Sequence, residues 1–393
     1  MEPQKLKLKD EGAYGCVFLD GMTASSKQDK IDYVVKIQKR KTTSNNEENI
    51  GAIVRKITNY KSYFAPVEKT TTVKLSSTDS NEIAKCGFIN EEKKAFLSNK
   101  IRYVGKDTLA KYINSLSSIE TNASTFFNKI LECFVHLCEG LTKLEKENII
   151  HLDLKENNIM IEEKTKVPII IDFGLSKQVN TELDPEETFF TYGPDYGPWC
   201  YDICFLTYLV NELGTDWKKV NIETAQIEKT VNDFLKENSG VNTFLSVQEK
   251  EQLKTNLLRE MEQYKNKTGI FVYESILKKS NNWDLYSISV IFLYLLLLIN
   301  SEKIENNDII KSFKGMLKNI LIQTQEKPST KEILQKVYEK FASTNKQLVN
   351  KMADGYKKEF TPKKFQQRSQ QLAHTVIKES EADDNLKGKM KEK

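Results

Sequence analysis

Histidine is scarce in this chain, with 3 among 393 residues, and cysteine is little commoner, with 6. The cysteines stand at positions 16, 86, 133, 138, 200 and 204. Neither close pair, Cys133/Cys138 or Cys200/Cys204, has zinc-knuckle spacing, so a structural zinc centre is not expected. Reduced thiols in a cytoplasmic protein are the simplest expectation. Long apolar runs are missing too. Residues 288–299 are almost wholly apolar, but this stretch is too short to span a bilayer and reads as a buried core helix. The opening residues, Met1-Glu2-Pro3-Gln4-Lys5, form no apolar signal region. A large excess of one charge is also absent. The net charge of +4 argues against nucleic-acid binding as the main activity. What excess there is lies in residues 341–393, with 12 Lys/Arg against 7 Asp/Glu.

What is present divides into a strand-like front and a helical back. Residues 17–18, 33–37, 67–75 and 96–104 are rich in β-formers and separated by polar loops. Between them residues 47–60 carry Ile50, Ile53, Val54 and Ile57 at helical spacing. From about residue 123 the pattern turns helical, with Phe126, Ile130, Leu131, Phe134, Leu137, Cys138, Leu141 and Leu144 on one stripe. No internal repeat is visible. Residues 343–393 are polar and Lys-rich and read as a flexible tail.

The chemistry lies just after that stripe. His151-Leu152-Asp153-Leu154-Lys155-Glu156-Asn157-Asn158 is followed by Ile169-Ile170-Ile171-Asp172-Phe173-Gly174. Phosphoryl transfer needs positioning and charge neutralisation more than covalent chemistry. Asp153 can accept a hydroxyl proton, Lys155 can neutralise a moving phosphoryl group, and Asn158 and Asp172 offer hard oxygens for Mg²⁺. The two blocks resemble the catalytic loop and the Asp-Phe-Gly motif of eukaryotic-type protein kinases.

That resemblance implies an α+β, bilobal protein-kinase-like fold. The small β-rich N-lobe would occupy residues 1–104 and the larger helical C-lobe 105–342, with nucleotide in the cleft between them. It implies ATP and Mg²⁺ (or Mn²⁺) as cofactors, with Asp153, Lys155 and Lys36 as catalytic residues and Asn158 and Asp172 as metal ligands. Gly12-Ala13-Tyr14-Gly15 resembles the glycine-rich loop over the phosphates, with Asp10 where the first glycine is expected. Tyr33-Val34-Val35-Lys36 resembles the strand whose Lys binds the phosphates. Its carboxylate partner would be Glu47 or Glu48, and Ile50 and Val54, at +3 and +7 from Glu47, favour Glu47. Ile101-Arg102-Tyr103-Val104 resembles the hinge that meets adenine, with Ile101 as gatekeeper. Val17, Val34 and Met160 would pack on the adenine ring, although a plain core role fits these three almost as well. His151 reads as a packed structural residue near Phe173.

Lys155, two residues after Asp153, marks the serine/threonine class within the family. Leu152 replaces the usual Arg that binds a phosphorylated activation loop, so activity independent of that phosphorylation is expected. Tyr192-Gly193-Pro194-Asp195 resembles the motif ending the activation segment. Lys327 stands where its Arg partner would be, which predicts an Asp195–Lys327 ion pair. Trp283-Asp284 resembles the start of the buried central helix, with Asp284 anchoring the catalytic loop. These matches extend the resemblance over residues 5–340. Residues 203–275 form an insertion with helices expected at 201–213, 224–237 and 247–264, fitted equally to docking partners or to extending the core. The insertion and the Lys-, Asn- and Ile-rich composition resemble kinases of large nucleocytoplasmic DNA viruses, which would place the protein in host cytoplasm or virion. The expected partner is a protein substrate with a Ser or Thr acceptor, and the expected state is a monomer. A pseudokinase scaffold and a small-molecule phosphotransferase are the competing readings.

Overall fold

Alternating side chains set the first layer. In a strand every second residue faces the same way, and this rule puts Cys16, Phe18 and Ile37 together as a buried cluster with Phe96. A computed structural model describes residues 7–12, 15–20, 33–38, 41–74, 85–87, 95–118, 123–297, 308–337 and 339–340. The expectations for Ala13, Tyr14 and the tail 343–393 lie outside them.

The chain divides into two units. The first comprises Met1–Asp107, Lys143–Asp153 and Asn158–Thr181. Its main sheet is antiparallel, in the order β1 (Lys7–Gly12), β2 (Gly15–Asp20), β3 (Tyr33–Gln38), β6 (Ala95–Arg102), β5 (Val67–Lys74). Cys16 lies opposite Ile37 and Phe18 opposite Val35, which gathers the apolar set on one face. The polar run of β1 gave no strand signal, yet it pairs with β2 as the edge strand. Helix α1 (Lys41–Val54) packs on this sheet, burying Ile50 and Val54. It starts and ends about six residues before the apolar stripe suggested, because polar residues 41–46 form its first turns and Asn59 takes a left-handed φ of 60° beyond its end. A second sheet joins β4 (Phe64–Ala65), β9 (Pro168–Ile171) and β8 (Ile159–Ile161), and a two-stranded ribbon pairs β10 (Lys177–Gln178) with β7 (Ile149–Ile150).

One expectation is corrected in this unit. Cys16 and Cys86 are joined by a disulfide rather than both being reduced. Cys16 points into the same buried cluster as Cys86, so the two sulfurs meet there. The remaining four cysteines are buried and form no disulfide, and burial pushes the Cys133 and Cys200 thiols up to about 12.

The second unit, Thr108–Thr142, Leu154–Asn157 and Glu182–Lys393, is helical. Helix α2 (Leu109–Ser118), which the sequence reading did not foresee, precedes α3 (Ala123–Lys146). The α3 stripe delivers Phe134 edge-on to Phe292 and Phe313, at 5.1 and 5.2 Å between ring centres. After the short α4 (Pro185–Thr188) comes α5 (Tyr201–Glu212), buried from Tyr201 through Leu209. Helices α6 (Thr224–Glu237), α7 (Ser239–Phe244), α8 (Val247–Met261) and α9 (Gly269–Leu277) follow. Three of the expected insertion helices are thus present, and two short ones are added. Ser246 caps α8 with a reciprocal bond to Glu249, which explains its sharp start. Helix α10 (Trp283–Leu297) is buried on nearly all sides, as its apolar run requires, and Asp284 is buried in its first turn. Helices α11 (Asp308–Ile322) and α12 (Thr330–Val337) complete the unit. Among the described residues no helix is long and apolar enough to cross a membrane.

The insertion braces the segment before α5. Asn238, 1% exposed, accepts from the Val241 amide and donates to the carbonyls of Tyr196 (3.1 Å) and Trp199 (3.3 Å). The Ser239 amide donates to the Asp195 carbonyl, and the Tyr192 hydroxyl donates to Asp233. A Cβ on Gly197 would stand 2.5 Å from Ser239 Oγ, so glycine permits this close approach.

The predicted Asp195–Lys327 pair does not form. Lys327 meets Asp202 at 2.6 Å, and the Trp283 indole N–H donates to the same carboxylate oxygen. Asp195 is exposed, whereas Asp202 is buried in the first turn of α5, where the helix dipole favours an acid.

Candidate active site

Strand register builds the site. Lys36 on β3 lies between Val17 on β2 and Asn99 on β6, and Asn99 in turn faces Thr70 on β5. Residues directly opposite each other share a face, so Lys36, Asn99 and Thr70 form one polar row. Helix α1 brings Glu47 to that row. Lys36 Nζ is 3.5 Å from the Glu47 carboxylate and 2.5 Å from Asp172 Oδ1. Of the two glutamates considered, Glu47 is buried and faces Lys36, while Glu48 is half-buried.

Burial works against the Lys36 ammonium, but the Asp172 and Glu47 carboxylates outweigh it and hold its pKa above the ordinary lysine value. Burial likewise pushes the Glu47 carboxyl upward, opposed by Lys36 and by the Asn99 amide. The cluster thus sets two carboxylates, one buried and one partly exposed, against one buried ammonium.

The loop after β7 presents the second group. His151 is fully buried, with Nε2 3.0 Å from the Ile171 carbonyl, while the Asp153 amide donates to Nδ1. An accepting Nδ1 leaves the proton on Nε2, so the ring bonds the backbone on both sides. It also packs 5.1 Å from the Phe173 ring. His151 thus ties the Asp153 loop to the Asp172 strand through both ring nitrogens. Leu152 and Asp172 have φ values of 64° and 62°, uncommon for residues with side chains and typical of functional turns. Leu152 is buried. Asp153 is half-buried, and the Asn158 amide donates to its carbonyl (2.7 Å) and its carboxylate (2.8 Å). Lys155 is half-buried on the loop between them.

The oxygens present suit a magnesium ion. Both Asn158 N–H bonds are spent on Asp153, which turns the amide oxygen the other way. Asp172 supplies a carboxylate. One carboxylate and one amide oxygen, completed by phosphates and water, match how Mg²⁺ is bound by nucleotide-using proteins. Among the described residues no three His, Cys, Asp or Glu side chains form a closed metal cage.

An apolar cluster lies in the same unit. Ala65, Val67, Ile101, Val104, Met160 and Ile169 are buried together, with Val34 and Ile171 packed against them. This places Val34, Val104 and Met160, three of the expected adenine contacts, in one patch. Val17 is half-buried on β2, and Arg102 and Tyr103 are half-buried at and just beyond the end of β6. The Val104 carbonyl accepts from the Glu163 amide at 3.3 Å. Gly12 pairs with Gly15 where β1 meets β2, and a Cβ on Gly15 would stand 2.3 Å from the Ile37 carbonyl. Close packing against β3 is thus a structural reason for Gly15, beside any contact with phosphate.

Sequence reasoning missed the residues behind Glu47. Gln38 donates to its carboxylate, as does Asn99 at 3.1 Å. The hydroxyls of Ser44 (2.8 Å) and Thr70 (2.7 Å) donate to the Asn99 amide oxygen. Asn46, beside Glu47, donates to the carbonyls of Gly174 and Ser176, both at 3.0 Å. The one available signal was strand period: Gln38 is two residues from Lys36 and shares its face.

Comparison with known proteins agrees with this geometry. A protein kinase domain family model matches residues 10–196. Serine/threonine-protein kinase nekl-2 of Caenorhabditis elegans is 31% identical over 85 residues, covering 21% of this chain and 24% of the worm protein. Serine/threonine-protein kinase Nek10 is 37% identical over 91 residues in Mus musculus and 38% over 89 residues in Homo sapiens. Each covers 22% of this chain and 8% of the relative, so this chain spans a quarter or less of these relatives' length. The strand-rich front and the family match together show a eukaryotic-type protein kinase domain over residues 10–196, with Nek serine/threonine kinases among the proteins it resembles.

Proposed function

We propose that this protein is an active serine/threonine protein kinase that transfers the γ-phosphoryl group of ATP to a protein hydroxyl. The observation that carries the reading is the Lys36–Glu47–Asp172 cluster in the same unit as the Asp153–Asn158 pair. An enzyme that had lost the reaction would have little reason to keep a buried ammonium against two carboxylates, which is costly to build.

In the proposed reaction the acceptor oxygen forms a bond to the γ-phosphorus as the bond to the ADP oxygen breaks. Asp153 takes the hydroxyl proton and aligns the acceptor. Asn158 holds Asp153 in place through its two N–H bonds. Lys36, oriented by Glu47, binds nonreacting phosphate oxygens. Lys155 neutralises charge on the group in transit. Asn158 and Asp172 would hold Mg²⁺, which would offset the charge of the phosphates. Gly12 to Gly15 would cover the phosphates, while Val17, Val34, Met160 and the Arg102–Val104 backbone would receive the adenine.

Lys155 supports Ser/Thr acceptors through the family resemblance. Independence from activation-loop phosphorylation draws support from two features. Leu152 is buried and apolar and offers a phosphate nothing, and Asn46 ties α1 to residues 174 and 176 with no added charge. The viral likeness rests on the insertion and composition alone, and with it a location in host cytoplasm or virion.

Phosphoamino-acid analysis tests the class. Incubation with labelled ATP, Mg²⁺ and casein or myelin basic protein should place label on Ser or Thr, before and after phosphatase treatment of the enzyme. Label on Tyr would contradict the acceptor class. Loss of activity after phosphatase would contradict independence from phosphorylation.

A further inference from the structure

We infer that Asn99 is a positioning residue for the reaction: its amide holds the Glu47 carboxylate in place, so that Lys36 can move between Asp172 and nucleotide without its anchor moving. This rests on the kinase reading above and names a residue that reading does not use.

The Lys36 ammonium is shared between two carboxylates. It sits 3.5 Å from Glu47, against 2.5 Å from Asp172. The firm contacts to Glu47 come from two neutral amides, Gln38 and Asn99. Glu47 is 1% exposed, and a carboxylate removed from water needs such donors to remain ionised. The direction of the Asn99 amide follows from its other partners. Ser44 and Thr70 both donate hydroxyls to the Asn99 oxygen, which leaves the NH₂ group facing Glu47.

These partners come from three elements. Thr70 lies on β5, Asn99 on β6, and Ser44 precedes Glu47 by one turn of α1. The network therefore joins the helix to two strands at the point where Glu47 must stand. The charged groups facing Glu47 are Lys36 on β3 and Asp172 after β9, while Gln38, Ser44, Thr70 and Asn99 around it are neutral. Loss of the Asn99 donor should thus favour protonation of Glu47, and a neutral Glu47 leaves Lys36 to Asp172.

The test measures kcat and KM for Mg²⁺·ATP across pH for wild type, Asn99→Leu, Glu47→Gln and the double variant, with unfolding midpoints alongside. Asn99→Leu should lower kcat/KM for ATP about tenfold, the size of one hydrogen bond to a charged group. It should also move the acid limb of the profile to higher pH, because the donor that favoured the charged form is gone. In the Glu47→Gln background the same change should cost little more. A stability loss with an unmoved acid limb and multiplicative losses would overturn the proposal. Should Asn99→Leu not fold, Ser44→Ala/Thr70→Val keeps the amide but frees its orientation. That pair must shift the acid limb in the same direction, and an unchanged limb overturns the proposal equally. Wild type that binds no Mg²⁺·ATP would overturn the kinase reading, and this inference with it. Wild type that binds and transfers while Asn99→Leu behaves additively would overturn this inference alone.

Discussion

The Lys36 ammonium lies 2.5 Å from Asp172 Oδ1, closer than to its helix partner Glu47. The two residues thus neutralise each other in this structure, and under the proposed reaction a nucleotide phosphate would draw Lys36 away from Asp172 and leave that carboxylate to a cation.

Removal of the cation should be felt in both stability and pH response. Lys36→Met leaves Glu47 and Asp172 facing each other, and breaking a buried pair typically costs about 3–5 kcal/mol, less here because Asp172 is 32% exposed. In wild type the Lys36 pKa is raised, so its contribution is complete below the ordinary lysine value of 10.5 and is lost only as pH rises through the higher folded value. In the variant Glu47 gains a proton more readily. The deficit measured by urea unfolding should therefore shrink from pH 8 to pH 5.

The Lys327–Asp202 pair offers a second test in the helical unit. Asp202 is buried, and Lys327 and Trp283 both donate to one of its oxygens. Lys327→Met should destabilise by about 3 kcal/mol, whereas Asp195→Ala should change the urea midpoint little. Burial opposes the Lys327 charge but Asp202 outweighs it, so its contribution persists below the ordinary lysine value and falls away only above it. An Asp195→Ala penalty equal to that of Lys327→Met would contradict the assignment.

The disulfide between Cys16 and Cys86 closes a loop with a sequence separation of 70. A loop of that length corresponds to about 4 kcal/mol of chain entropy in the unfolded state. Dithiothreitol should lower the unfolding midpoint of wild type and leave that of Cys16→Ala/Cys86→Ala unchanged.

Asn238 makes three side-chain bonds while almost fully buried, one capping α7 and two holding the segment before α5. Asn238→Ala should cost about 2 kcal/mol, the sum expected for a cap and unpaired carbonyls. Hydrogen exchange should report opening at residues 192–199 more than in α10.

Legibility in the sequence followed distance along the chain. Asp153, Lys155, Asn158 and Asp172 stood out in the sequence because phosphoryl transfer would use those residue types at short fixed spacings. Helices α6 and α8 were readable from period, since each carries an apolar stripe. Asn99 was not, because its meaning comes from partners 29 to 55 residues away that only strand register brings together. Asp202, and not the expected Asp195, meets Lys327 because the start of α5 buries it beside Trp283. The Cys16–Cys86 pairing depended on the sheet placing both in one cluster. Strand β1 was hidden by its charges, as an edge strand tolerates them.

The most direct test of the account is transfer of labelled γ-phosphate from ATP to casein, myelin basic protein and the protein itself, with Asp153→Asn beside wild type and ATP binding measured in parallel. Wild type should label Ser or Thr, and Asp153→Asn should bind ATP as tightly while transferring about a hundredfold or more slowly, the usual contribution of a positioned base. Equal transfer by both proteins, or ATP binding by wild type with no transfer to any acceptor, would contradict it.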